Sequence, residues 1–351
     1  MSNLLIKIGT RDSPLAQWQS KQVKQLLQYK NVKSELVLIK SEGDINLTTP
    51  LYEMGVQGIF TKTLDASLLN NQIDIAVHSY KDIPTKLADG LIIAAVLKRG
   101  NPFDLLVINR EKVFSKAELA LVKDENSTFG KKDLSAITTE VIKSAFHKNS
   151  PVDNNANEMP LIIATSSARR KAQLLNMFPN ATIENLRGNV NSRVKKLKES
   201  NWHGAIFAAA GIERLGFGHL EGIELKVMLP APAQGAIAVV CRENDAEARA
   251  LCAPLNDIDT EICTQVEKDF LRILMGGCST PIGAFAIIKN DEIIFKGNIL
   301  SPDGKQKIEI QLSENVADYK KMGAAAAQQI LDKGGKVIVD GFKNNAVKDE
   351  K

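Results

Sequence analysis

The sequence predicts an α/β protein: two similar lobes facing a cleft, followed by a smaller α+β domain. Three observations carry this. A chain of 351 residues is too long for one core and suggests two or three domains. Apolar runs alternate with amphipathic stretches in the order strand, capped helix, strand, helix, strand, and that order occurs twice. After "LPAPAQGAIAVVCRE" the pattern changes to a helix, an alternating meander and another helix.

The first strand is "LLIKIGT". "RDSPLAQWQSKQVKQLLQ" has helical periodicity, with Ser13 as N-cap and Pro14 at the first helical position. "SELVLIK" is the next strand, "GIFTKTLDASLLNN" a helix, "IDIAVHS" a buried strand and "GLIIAAVL" another. In the second series "MPLIIAT" is a strand, "SSARRKAQLLNMF" a helix, "ATIENLR" a strand, "NVNSRVKKLKES" a helix and "HGAIFAAA" a buried strand. The two series share order and not residue identity. Lobes built this way point helix N-termini toward the space between them. Between the series, Asn109 to Pro160 is polar and punctuated. It reads as an insertion with an exposed loop from Lys148 to Glu158 and a helix around Ile137 to His147. In the tail, "TEICTQVEKDFLRILMGG" is a helix stopped by glycine. "AFAIIKNDEIIFKGNILSPDGKQKIEIQL", with its ND and SPDG turns, is an antiparallel meander. "NVADYKKMGAAAAQQILDKGG" is an amphipathic helix and "KVIV" a last strand.

Composition narrows the function classes. Hydrophobic content of 44% and charged content of 25% are ordinary for a globular protein. A formal charge of +4 is small for this length and does not indicate a nucleic-acid binder. The N-terminus lacks a basic region followed by a long apolar run, and no stretch approaches a membrane span, so the cytosol is the expected compartment. The cysteines Cys241, Cys252, Cys263 and Cys278 show no CxxC spacing, and the histidines are scattered, so no metal site is expected. Cys241, Cys252 and Cys263 lie in strand-like or helix-like runs and read as small core hydrophobes. Cys278 stands apart, in the glycine-rich turn "LMGGCSTPIG" between the third domain's first helix and first strand.

Cations gather where predicted strands end. Arg11, Lys81, Arg169, Arg170, Arg187 and Arg214 each follow a strand, and Arg193 stands shortly after Arg187. In open α/β sheets that edge is where ligands bind. Helix N-termini and bidentate guanidiniums there would grip several carboxylates or phosphates. No GxxxxGK[ST] segment supports a nucleotide site. "GVQGIF" (Gly55 to Phe60) reads as a flexible lid. In "DIAVHSYKDIP" a buried strand delivers Ser79, Lys81 and Asp82 into a turn closed by Pro84. Asp82 is the one carboxylate among these cations, suited to offset a transient positive charge or to exchange protons with a substrate.

"IGTRDSPLAQWQ", "DIAVHSYKDIP", "ATSSARR", "LRGNVNSR", "AAAGIERLG", "PAPAQGA" and "GGCSTPIG" occur in that order. The series resembles the porphobilinogen deaminase family over nearly the whole chain, the stretch of about 109–160 and the extreme C-terminus excepted. The resemblance implies two periplasmic-binding-protein-like lobes around a cleft, 1–108 with 236–253 and 109–229, plus a C-terminal domain, 258–343, carrying the cofactor cysteine. It implies a transferase of tetrapyrrole and haem biosynthesis. Such an enzyme joins porphobilinogen molecules head to tail, releases ammonia each time, and frees the linear tetrapyrrole hydroxymethylbilane by hydrolysis. It also implies a covalent dipyrromethane cofactor on Cys278, held by a thioether and kept as a reusable primer.

Asp82 matches the family's catalytic aspartate. Ser79, Lys81, Asp82, Thr165, Ser166, Ser167, Arg169, Arg170, Arg187 and Gly188 are implied cofactor contacts. Arg11, Ser13, Lys62, Arg187, Arg193, Arg214 and Gln234 are implied contacts of porphobilinogen and the growing polypyrrole chain, whose acetates and propionates make it a polyanion. A cytoplasmic monomer with no nucleic-acid or membrane partner is expected. Three positions depart from the family pattern. Glu42 in "SEGD" and Gln57 in the lid replace common cations, and Lys268 stands where arginine is more usual.

Overall fold

The computed structural model describes residues 5–40, 61–113, 161–220, 222–274 and 280–348. The chain begins β1 (Leu5–Arg11), α1 (Pro14–Tyr29), β2 (Lys33–Ile39), α2 (Lys62–Leu69), β3 (Ile75–Ser79), β4 (Leu91–Val96) and β5 (Asp104–Ile108), then a short α3 (Arg110–Val113). It continues with β6 (Ile162–Ala164), α4 (Ala168–Met177), β7 (Thr182–Glu184), α5 (Val190–Glu199), β8 (Gly204–Ala208), α6 (Ala209–Arg214), β9 (Gly222–Glu224) and β10 (Ile237–Arg242). After α7 (Ala246–Cys252) come α8 (Ile258–Ile273), β11 (Ile282–Lys289), β12 (Glu292–Leu300), β13 (Lys307–Asn315), α9 (Tyr319–Ile330) and α10 (Lys336–Lys348).

Two five-stranded sheets share one plan, in the orders β2-β1-β3-β10-β4 and β7-β6-β8-β5-β9. In the first, β1 is parallel to β2 and β3, and β10 runs antiparallel between β3 and β4. In the second, β6 is parallel to β7 and β8, and β5 runs antiparallel between β8 and β9. Parallel neighbours need long crossovers, supplied by α1 and α2 in one lobe and by α4 and α5 in the other. The repeat of pattern in the sequence is thus a repeat of topology. The chain passes between the sheets twice, through 97–103 and 225–236.

Each sheet is covered on both faces, which is why its central strands are continuous apolar runs rather than alternating ones. Ile6, Val23, Leu27, Val77 and Val239 fill one side of the first sheet, and Leu64, Leu68, Ile73 and Val240 the other. The third domain is the meander β11-β12-β13 with α8 and α9 packed on it, and Phe270 meets Phe295 edge-on at 5.1 Å inside. The capping read for α1 holds: Ser13 accepts the Ala16 N–H, with Pro14 in the first turn. Cys241, Cys252 and Cys263 are buried in these cores, and burial pushes the thiols of Cys252 and Cys263 up to about 12.

Two expectations need correction. Residues 104–108 do not belong to the first lobe. They pair residue for residue with Gly204–Ala208, and Leu106 and Val107 pack into the second core, so the crossing precedes Asp104. "KVIV" is not a strand but the start of α10. Ile338 and Val339 are both buried while Val337 is 71% exposed, a spacing that a helix face allows and strand alternation forbids. The expected loop at 148–158 and helix at 137–147 lie outside the described residues.

Candidate active site

The strand β3 ends in a tight 3₁₀ turn, Tyr80–Asp82, that presents Lys81 and Asp82. The turn is pinned from three sides. Tyr80 N–H donates to Ala236 O at 3.0 Å, on the returning crossover. The Lys268 ammonium, from α8, donates to Ile83 O and stands 5.3 Å from the centre of the Tyr80 ring. Ser79 shares hydrogen bonds with Gln19 of α1. Lys268 therefore ties the third domain to the turn. Among the described residues, nothing donates a hydrogen bond to the Asp82 carboxylate, which leaves its oxygens available.

Across the cleft, Asp104 organises the second lobe's edge. It opens β5, is fully buried, and takes Arg169 Nη1 at 2.7 Å on one oxygen. Its other oxygen takes Arg170 Nε and Nη2 at 3.0 and 2.8 Å and Gln234 Nε2 at 2.9 Å. Burial pushes this carboxyl up, but the two guanidiniums and Gln234 outweigh it and hold it well below the usual carboxylate range. Gln234 is a bridge: its carbonyl end accepts Lys81 Nζ at 3.3 Å, so the two lobes' charged groups share one amide. Both its ends are engaged in the fold. Arg169 and Arg170 are likewise almost wholly buried and paired, although Arg169 Nε has no hydrogen-bond partner among the described residues.

The charges on the two lobes feel each other. Burial lowers Lys81 to about 8, Asp82 opposes that, and Arg170 and Arg169 add to it. Burial lowers Arg193 to about 10, with Arg170 and Arg187 adding and Asp82 opposing. Arg193 is steered by its own turn, Nε donating to Gly188 O at 2.7 Å, and Gly188 has the positive φ of 110° that this turn requires. The structure thus brings together Lys81, Asp82, Arg169, Arg170, Arg187, Arg193 and Gln234.

Other expected site residues sit differently. Arg11 lies near enough to His78 for its charge to help burial lower that imidazole to about 4. Arg214 leans over Trp18 of α1 at 5.6 Å and donates to Gly235 O at 2.6 Å, beside a cavity of about 750 Å³ whose lining omits Asp82 and Arg193. Lys62 is exposed at the start of α2. Ser13 and Ser167 cap α1 and α4, Ser166 accepts Leu186 N–H, and Thr165 accepts Ser167 N–H, so these hydroxyls shape the loops around the cleft. Cys278, the lid from Gly55 to Phe60 with Gln57, and Glu42 lie outside the described residues.

Sequence reasoning missed Asp104, Arg99 and Glu267. Glu267, on α8, is fully buried and takes Arg99 at 2.6 and 3.0 Å, Ala233 N–H at 2.6 Å and Ala286 N–H at 2.8 Å. One carboxylate thereby joins both crossovers to the third domain, and holds Ala233 at a φ of 61°. For Asp104 the available signal was a carboxylate in the otherwise apolar run "FDLLVI"; Glu267, beside Lys268 and Asp269 in a charged helix, and Arg99, in a loop, carry no such signal.

Among the described residues the two lobes present more cations than carboxylates to each other, which suits a small polyanion. That defines the class: a cleft enzyme acting on a polyacidic small molecule. A family profile described as "Porphobilinogen deaminase, dipyromethane cofactor binding domain" matches residues 6–127 and 134–250, and the family's C-terminal domain matches 261–332. Porphobilinogen deaminase of Desulforamulus reducens is 38% identical over 339 residues, 95% of this chain and 97% of the relative. Partial likenesses among solved structures include the methionine binding protein MetQ, with 13% identity, TM-score 0.37, and coverage of 75% of this chain and 91% of that one. The VFT2 domain of BvgS from Bordetella pertussis has 12% identity, TM-score 0.36, and coverage of 71% and 85%. The chain belongs to the porphobilinogen deaminase family. It is a transferase of tetrapyrrole biosynthesis with a dipyrromethane cofactor, and it makes hydroxymethylbilane from porphobilinogen. The matched ranges leave only 128–133 between them, so most of the stretch read as an insertion falls within the family's matched span.

Proposed function

We propose that Asp82 is the catalytic group of this synthase, that Cys278 anchors the dipyrromethane through a thioether, and that the facing cations hold the acidic side chains of cofactor and substrate. The observation that carries the reading is Asp82 itself, a carboxylate set among Lys81 and Arg193 with no hydrogen-bond donor among the described residues. The residues fit the cofactor. Among the described residues, Lys81, Arg169, Arg170 and Arg193 share the charges of Asp82 and Asp104, an excess that a polyacidic dipyrrole would balance. Arg169 Nε, without a hydrogen-bond partner among the described residues, is a buried donor that an arriving acidic group would satisfy.

When bound, the dipyrromethane supplies a pyrrole α-carbon as acceptor for each new unit. The protein's part is electrostatic. Loss of ammonia from porphobilinogen leaves a cation conjugated with the pyrrole nitrogen. The Asp82 carboxylate offsets that charge and accepts the pyrrole N–H, while Lys81 and the arginines orient the acetate and propionate. We also read the protein as a cytoplasmic monomer without nucleic-acid or membrane partners, on its small net charge; sedimentation at micromolar concentration showing a dimer would remove the monomer. Among the described residues, no helix is long and apolar enough to cross a membrane.

The test of the anchor is the intact mass of the purified protein followed by peptide mapping. The expected result is an excess equal to two linked pyrroles on the peptide containing Cys278. An unmodified Cys278 after incubation with porphobilinogen would overturn the assignment.

A pH profile tests Lys81. With its value lowered to about 8, the ammonium is present below that pH and lost above it. For porphobilinogen, kcat/KM is expected to fall as pH rises through about 8, since this ratio reports the free enzyme. Lys81→Arg should move that limb upward, because a guanidinium keeps its proton across this range. A limb left in place by the substitution would belong to another group.

A further inference from the structure

One buried amide connects the strand that follows Cys278 to the helix that carries Arg169 and Arg170. The strand β11 begins four residues after Cys278 in the sequence and lies against the crossover: Ala284 N–H donates to Pro230 O at 3.0 Å. The approach at Gly283 is so close that a Cβ there would stand 2.7 Å from both Leu229 Cβ and Asn298 Oδ1. Leu229 in turn is held by Gln173 of α4 as a strand neighbour would hold it. Gln173 Oε1 accepts Leu229 N–H at 2.8 Å, and Gln173 Nε2 donates to Leu229 O at 2.9 Å. The same carbonyl accepts Arg169 Nη1 at 2.7 Å. Asn298 of β12 closes the circuit: its Oδ1 accepts Gly283 N–H at 3.1 Å, and its Nδ2 reaches Gln173 Oε1 at 3.5 Å. Gln173 and Asn298 are 4% and 1% exposed, so water does not compete for these bonds.

We propose that Gln173 is a positioning residue for the reaction. Its amide sets where the strand after the cofactor loop stands relative to Arg169 and Arg170, and so where the anchored end of the dipyrromethane meets its acid-binding guanidiniums. The inference rests on Cys278 being the anchor. Only an amide of this length matches both polar groups of Leu229. Glutamate loses the donor and methionine loses both partners at nearly equal volume. Misplacement of reacting groups by a fraction of an ångström lowers kcat more than it alters affinity.

The experiment uses the cofactor-loaded enzyme. Peptide mapping of the wild type first establishes the adduct on Cys278; an adduct on another residue would remove the anchor and this inference with it. Gln173→Met is then expected to retain the adduct mass, to lower kcat about ten-fold with KM changed less than three-fold, and to speed amide hydrogen exchange locally at 282–284 and 229. Asn298→Ala, which spares α4, is expected to show the same local exchange and a smaller kcat loss in the same direction. A role in stability alone would lower the melting temperature while leaving kcat of the folded, loaded enzyme unchanged. That result, or unchanged exchange at 282–284 in both variants, overturns the proposal.

Discussion

Asp82→Ala is expected to lower turnover by about 10³-fold while leaving the chain folded and loaded with cofactor. The Tyr80–Asp82 turn is held by its backbone and by Tyr80, through Ala236 O and the Lys268 ammonium, and none of those contacts uses the Asp82 side chain. Removing a half-buried carboxylate with no hydrogen-bond donor among the described residues leaves no donor unpaired but takes a favourable charge from Lys81 and Arg193, so a stability loss of about 1 kcal/mol is expected. The loss falls on chemistry. Lys81 and Arg193 would remain to bind acidic side chains, but without Asp82 the carboxylate left among these cations is Asp104, which is buried and paired with Arg169 and Arg170, while the substrate becomes a cation as ammonia leaves. Substrate binding should therefore survive better than turnover. Asp82→Glu keeps the charge and displaces it by one methylene, so an intermediate loss is expected. The measurement is single-turnover release of ammonia on protein whose adduct mass and melting temperature match the wild type. Turnover within ten-fold of wild type in loaded Asp82→Ala would remove Asp82 from the mechanism.

Much of the architecture is legible in the sequence because it rests on local rules. The caps Ser13 and Ser167, the apolar runs of β3 and β8 and the turns of the third domain all announce themselves within a few residues. What is not legible depends on partners far along the chain. Residues 104–108 look like a continuation of the first lobe, and only pairing with β8, about a hundred residues on, assigns them to the second. Val337, Ile338 and Val339 suit a strand by composition, but packing of Ile338 and Val339 against the third-domain core decides for a helix. The site divides in the same way. Residue types and strand ends are enough to single out Asp82, Lys81 and the arginines. That Arg169 and Arg170 spend their charge on Asp104, and that Gln234 bridges Lys81 to it, are facts of tertiary contact with no local signature.

Asp104 carries the other large effect, and it falls on stability. Asp104→Ala is expected to cost about 3–5 kcal/mol, because it leaves two buried guanidiniums without their counter-charge and frees one end of Gln234. The sign of the pH dependence follows from the direction of the shift. The folded carboxyl is held below its ordinary value of about 3.9, so its contribution is complete above that pH and is lost as pH falls below it toward the folded value. Urea unfolding of wild type and Asp104→Ala, on cofactor-free protein at pH 7 and at about pH 2.5, should show a gap that narrows in acid. A combined Asp104→Leu, Arg169→Met, Arg170→Met variant separates two explanations of why the triad exists. If apolar packing can replace buried charge here, as it often does, the triple variant should recover most of the stability lost in Asp104→Ala and yet fail to turn over. The triad would then be kept for the positive edge it presents to a polyanion, with Asp104 present to make two adjacent buried arginines tolerable. A loss below about 1 kcal/mol in Asp104→Ala alone would mean that the guanidiniums find other acceptors, and that Asp104 does not organise this edge.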